Sequence, residues 1–149
     1  MKPRIKFGLL VGVVGMVLNV CVAGFMGLCG PFTALLAGGV AGFFASREEK
    51  ASSKGEGARV GAFAGGIAGG LVLIGQLLGG LISLAYLQFS GTSVAFGTIP
   101  DPSADLSMQL IYYLSGLGTG LCFGLVGIVV AAATGAGAGY LSTPEQTAL

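Results

Sequence analysis

The chain has 149 residues, 54% of them hydrophobic and only 9% charged, with a net charge of +1 and a mean hydropathy of +0.91. Soluble domains carry about a quarter charged residues, so this chain cannot cover a water-facing surface and lipid must be its solvent. The small net charge argues against nucleic acid as a partner, and the absence of His together with three cysteines at no metal-like spacing predicts no metal and no cofactor.

Lys2, Arg4 and Lys6 precede an apolar run from Phe7 to Leu28. The opening is like that of a signal peptide, but Leu18-Asn19-Val20-Cys21 lacks the small residue a leader site wants, and the run continues beyond it. We read 7–28 as an uncleaved first span, long enough for a hydrocarbon core that takes roughly 20 residues. Cys29-Gly30-Pro31 reads as a turn, and 32–46 as a second, short span. A turn sunk below the outer membrane surface accounts for the shortness.

Four of the seven basic residues (Arg47, Lys50, Lys54, Arg59) fall in the next stretch, 47–59, mixed with Glu48, Glu49 and Glu56. It reads as a cytoplasmic loop. The third span is expected over 60–89 and an extracytoplasmic loop over 90–106, with Asp101-Pro102 as the N-cap and first residue of a helix. The fourth span is expected over 107–140. The expected architecture is therefore an all-α membrane protein, one tetraspan domain of four helices in a tight glycine-striped bundle. All Lys and Arg lie in the N-terminal tail or the 47–59 loop, so the positive-inside rule puts both termini in the cytoplasm and the chain in the cytoplasmic (inner) membrane. Tyr86, Tyr112 and Tyr113 then fall near the outer boundary and Tyr140 near the inner one. From Tyr112 to Tyr140 is roughly 42 Å of helix, the thickness of a bilayer with its headgroups.

Small residues recur at intervals of three and four on each span, which sets them on one face. They are Gly8, Gly12, Gly15, Asn19, Ala23 and Gly27 on the first, and Ala34, Gly38, Gly42 and Ala45 on the second. The third carries Gly61, Gly65, Gly69, Gln76, Gly80 and Ser83; the fourth carries Gly116, Gly120, Gly124, Gly127, Ala131, Gly135 and Ala138. In lipid, such faces let helix backbones approach closely, within one chain or between subunits. Asn19 and Gln76 are the strongest polar side chains inside the spans, at depths within about one helical turn of each other. Two readings stand: a structural bond between helices, or a polar constriction on the path of a small neutral solute. Cys21 and Cys122 read as small packing residues, and Cys29 as the accessible one.

The segment P-F-T-A-L-L-A-G-G-V-A-G, a charged loop ending in glycine, and G-A-F-A-G-G-I-A-G-G together resemble uncharacterised glycine-rich tetraspan membrane proteins of prokaryotes over about residues 30–85. That resemblance implies a topology and no site. Four glycine-rich spans also bring to mind the proteolipid subunits of rotary ATPases and the small multidrug exporters. Both depend on a carboxylate within the membrane, and these spans have none away from their ends. With no nucleophile–base pair to assemble, the sequence predicts a non-enzymatic structural or accessory subunit, packing with itself or with other membrane subunits. The alternative is a channel or carrier lined by Asn19 and Gln76.

Overall fold

A computed structural model describes residues 1–23, 30–90, 100–101 and 103–144. Four α-helices account for nearly all of them: α1 (Pro3–Ala23), α2 (Gly30–Glu48), α3 (Lys54–Ser90) and α4 (Leu106–Ser142). Three helices, α1, α3 and α4, are long and apolar enough to cross a membrane. α2 has 19 residues, and its glycines, Pro31, Thr33, Ser46, Arg47 and Glu48 dilute its apolar character.

α1 starts at Pro3 rather than Phe7, and α2 takes up Gly30 and Pro31 of the expected turn; three further differences have a local reason. α3 starts at Lys54, six residues before the expected Val60, which shrinks the expected 47–59 loop to 49–53. Ser53 caps it: the Glu56 N–H donates to Ser53 Oγ at 3.3 Å, and Glu56 Oε2 accepts from the Ser52 N–H at 2.9 Å. This is close to a capping box, shifted by one residue on the return bond. α2 runs on to Glu48 and closes in a Schellman turn. The Ala51 N–H reaches Ser46 O at 3.4 Å and the Lys50 N–H reaches Arg47 O at 3.3 Å, with Lys50 in the left-handed region at φ 52°. Asp101 is not the N-cap of α4. It folds its carboxylate onto Ser103, accepting from the Ser103 N–H at 2.8 Å and from its hydroxyl at 2.5 Å, and α4 begins after Asp105. Cys29 of the expected turn and the apolar stretch 94–99 of the expected 90–106 loop lie outside the described residues.

The order of contacts fixes the arrangement. Gly8, Gly12 and Gly75 bring α1 and α3 together in parallel, against Ala64, Ala68 and Met16 respectively. Gly38 and Gly42 bring α2 parallel to α4 at Ala131 and Gly135, while Gly57, Gly61 and Gly65 run α3 antiparallel to α4 at Gly139, Gly135 and Ala131. α2 and α3 form the central pair, flanked by α1 on one side and α4 on the other. Among the described residues α1 and α4 do not touch.

The core is built of small side chains: Ala34, Ala37, Ala41, Ala45, Ala64, Ala68 and Ala131, with Val60 and Val72. Large apolar side chains point outward instead, among them Leu10, Val17, Phe32, Leu36, Ile82, Phe89, Ile111 and Val129. In water this would be an inverted protein, because the apolar surface it exposes far exceeds a normal surface patch. In lipid it costs nothing, and small interior residues are what close helix packing requires. Cys21 and Cys122, expected as small packing residues, are both exposed on the outer faces of α1 and α4. Cys29 lies outside the described residues.

Candidate functional site: the buried amides and the close helix contacts

Asn19 and Gln76 sit where α1, α2 and α3 converge. Asn19 is fully buried, and with Val72 it is the largest side chain so enclosed. Its Nδ2 donates to the Val72 carbonyl of α3 at 3.1 Å. Val72 lies one turn before Gln76 on the same helix, so the two amides are neighbours in depth without bonding to each other. Gln76 is 7% exposed and lays its amide over Gly30, the first residue of α2, where a Cβ would overlap Gln76 Oε1. A larger residue there would oblige the Gln76 amide to move. The first N–H groups of α2 have no partner within the helix, which makes this end of α2 a favourable place for an amide oxygen.

Among the described residues Asn19 Oδ1 has no hydrogen-bond partner. A buried amide oxygen left this way costs about 1–3 kcal/mol, which roughly cancels the bond its own nitrogen makes. Beside Gln76 lies a gap of about 20 Å³, lined also by Leu77, Gly80, Leu84, Gly116 and Gly120. That is room for one water molecule.

The other expected residues lie along the helix contacts. Gly38, Gly42, Gly61, Gly65 and Gly69 are buried, as is Gly124, whereas Gly116 and Gly120 are half-buried. At Gly135 three helices meet. Cβ atoms built on Gly42 and on Gly61 would both overlap the Gly135 carbonyl oxygen, and one built on Gly135 would overlap that of Gly61. Gly38 and Gly65 stand in the same relation to the Ala131 carbonyl one turn away. On α4 the buried position in the last turn is Gly139, with Ala138 only half-buried.

Several polar side chains bridge helices, a role the sequence reading gave to none of them. Ser46 is buried, and its one hydroxyl proton is shared between Gly42 O at 2.8 Å on its own helix and Gly57 O at 3.0 Å on α3. Thr134 reaches the Leu35 carbonyl of α2 at 3.1 Å. At the far end, Tyr113 donates to Gln88 Oε1 at 2.7 Å and Tyr112 to Leu84 O at 3.3 Å, joining α4 to α3. Ser46 continues the Gly38–Gly42 spacing by one more turn, so its signal was in the sequence. Gln88 gave none, because its partner is 25 residues away across a loop.

The basic residues gather where α1 starts, α2 ends and α3 starts, and four of them lie over aromatic rings. Arg4 stands 5.8 Å from the Phe63 centroid, Lys6 5.6 Å from Phe7, Arg47 5.4 Å from Phe43 and Lys54 5.4 Å from Tyr140. Arg4 also pairs with Glu49 at 3.1 Å. Cations with apolar stems alongside aromatic rings suit a membrane–water boundary, where one end of each group is wet and the other is not. Among the described residues no cluster of His, Cys, Asp or Glu could hold a metal ion. Comparisons of the chain with protein families, with curated proteins and with solved structures return no match.

Proposed function

We propose that the chain is a non-enzymatic, multi-pass protein of the cytoplasmic membrane, with four crossings, both termini cytoplasmic and a glycine-striped interior. In this reading it acts as a structural or accessory subunit that packs with copies of itself or within a larger membrane complex. The observation that carries it is the direct contact of helix backbones at Gly38, Gly42, Gly61, Gly65 and Gly135. Backbones packed this closely favour a structural role over a path, and the gap beside Gln76 among the described residues is about 20 Å³, room for one water. Several glycines at which an added Cβ would meet nothing within 4 Å among the described residues, Gly39, Gly66, Gly70, Gly118 and Gly137 among them, supply further faces on which another helix could lie as closely. The seven basic residues at one end favour a cytoplasmic placement of that end. Native-size analysis in mild detergent tests the role: an assembly larger than one chain, or a co-purifying subunit, is the expected result, and a lone monomer overturns it. Labelling of a cysteine introduced at Ser52 from outside the cell would overturn the orientation.

A second reading rests on the unpartnered Oδ1 of Asn19. A channel or carrier for a small neutral solute would use that oxygen and the Gln76 amide as successive contacts along its path. Solute flux in liposomes that survives both Asn19→Leu and Gln76→Leu removes this reading.

A further inference from the structure

Between the C-terminal ends of α2 and α4 lies a cleft of about 520 Å³, lined by Ser46, Arg47, Lys50, Leu141, Ser142 and Thr143, among others. Among the described residues its only charged lining side chains are the two cations. The mixed charge of the 47–59 stretch speaks against an anion site as long as its glutamates are taken to share the space of its basic residues. The fold separates them. Glu49 turns away to Arg4 at 3.1 Å, Glu56 accepts from Ser52 at the start of α3, and Glu48 lines no part of the cleft.

The floor is prepared as well. Helix ends present unpaired carbonyls that repel an anion. Here Ser142 Oγ at 3.1 Å and Thr143 Oγ1 at 2.9 Å both donate to Gly139 O, and on α2 the Ala51 N–H closes onto Ser46 O at 3.4 Å and the Lys50 N–H onto Arg47 O at 3.3 Å. These bonds cover part of the negative end of each helix and leave the Arg47 and Lys50 cations as the dominant field. Arg47 is held at 5.4 Å over Phe43, so its guanidinium stays at the boundary while its stem lies on an apolar surface. Leu141, 83% exposed, flanks the opening on the side where acyl chains would run.

We propose that this cleft binds a phosphate group, held by Arg47 and Lys50: the phosphodiester of an anionic phospholipid or free phosphate. Arg47 supplies planar paired donors and Lys50 a point charge, the combination that phosphate oxygens take up. Basic pockets between helices at the cytoplasmic face are where anionic headgroups are recognised. The inference rests on the membrane reading above, yet it fails separately: the chain can require detergent for solubility and still bind no phosphate.

The test uses the full chain in dodecyl maltoside, with bound lipid counted by native mass spectrometry. The probes are dioleoylphosphatidylglycerol, dioleoylphosphatidylcholine and inorganic phosphate at matched ionic strength. Each Lys or Arg near an anionic surface contributes about 1 kcal/mol, so Arg47→Gln with Lys50→Gln is expected to weaken phosphatidylglycerol binding about 30-fold. The pair Lys2→Gln with Lys6→Gln changes net charge equally and should leave binding little altered. Competition by inorganic phosphate identifies the free ion as the ligand; its failure to compete identifies the lipid headgroup. Equal loss in both double variants, or no preference for phosphatidylglycerol over phosphatidylcholine, overturns the proposal, and leaves the two cations as partners of the α2 helix end alone.

Discussion

Glycine does two different jobs in the two halves of the α3–α4 pair. Toward the basic end, Gly57, Gly61 and Gly65 set backbone against backbone, each lying on a carbonyl of α4. Toward the other end, Gly124, Gly120 and Gly116 receive the side chains of Leu73, Leu77 and Leu84. In the first half the glycine is the closest point of two rods. In the second it is a hole for a knob. A flexible leucine can retreat from an added methyl group, whereas a helix carbonyl cannot without moving the whole helix. Identical spacing in sequence therefore conceals opposite tolerance.

Substitution by alanine is the direct way to break the comparison. Gly135→Ala should have the largest effect, a loss of about 3 kcal/mol, at the upper end of the range for overpacking. Its Cβ would overlap the Gly61 carbonyl while crowding Gly38 O and Gly65 Cα, both at 3.1 Å. Gly120→Ala, whose Cβ would meet only Leu77 Cδ2 at an ordinary 3.6 Å, should be neutral or slightly stabilising. Thermal unfolding of the two variants in the same detergent reads the difference, and equal losses would erase the distinction between the halves.

Hydrogen bonds sharpen the contrast at a smaller scale. Ser46→Ala removes the α2–α3 bond beside the backbone contacts, and Tyr113→Phe removes the α4–α3 bond in the leucine half. Bonds of this kind within membranes average about 0.6 kcal/mol. Ser46→Ala should cost no more than that, because Gly42 O and Gly57 O remain helix acceptors. Tyr113→Phe should cost more, since Gln88, 7% exposed, loses the donor to its Oε1. Denaturant titration of both variants ranks them, and the reverse order would show that the leucine half does not depend on its polar clamp.

Gly66→Ala and Gly70→Ala lie on neither contact, because a Cβ at either meets nothing within 4 Å. In the isolated chain each should stabilise by up to about 1 kcal/mol through helix propensity. Losses specific to the assembled form, read by comparing native size with unfolding temperature, would mark that face as one covered by another helix.

The smallest expected effect is one of pH. The Ser103 hydroxyl and N–H hold the Asp101 carboxyl below the usual carboxylate range. A carboxyl so lowered contributes fully at neutral pH and loses its contribution only as pH falls through the folded value. The Ser103 amide resonance should therefore hold its position through the ordinary Asp range and move only below it.

The all-helical class and the number of helices were legible in sequence because hydropathy sums over many residues and survives local error. That α1, α3 and α4 are long and apolar enough to cross a membrane was legible for the same reason. Bounds were less so. The Ser53…Glu56 cap was written in the sequence, but a dense charge run reads as loop more loudly than a cap reads as helix. Asp101 was misread in the opposite sense: an Asp before a Pro promises a cap, and only the position of Ser103 shows the carboxylate closing its own turn instead. On α2, small-residue spacing and burial coincide at Ala34, Gly38, Gly42 and Ala45, whereas at the end of α4 they part at Ala138 and Gly139. A spacing of three or four leaves one residue of freedom per turn, and over 37 residues that freedom accumulates. The exposure of Cys21 and Cys122 follows from the same limit, since lipid and core accept an apolar thiol equally and only the neighbours decide. The cleft at Arg47 and Lys50 was beyond reach, because which charge faces which depends on how the short turn between α2 and α3 is folded.

The crossing at Gly135 bears on how the protein is made. α4 is the last of the four helices to be synthesised, yet α2 and α3 both rest their glycines on it. A nascent chain that has released only three helices holds α2 to α3 through Ser46 and Gly57, while Gly38, Gly42, Gly61 and Gly65 still face lipid with their backbones bare. Maturation then turns on the arrival of one segment, and protease resistance in a chain stopped after Ser90 should fall well short of the complete protein's.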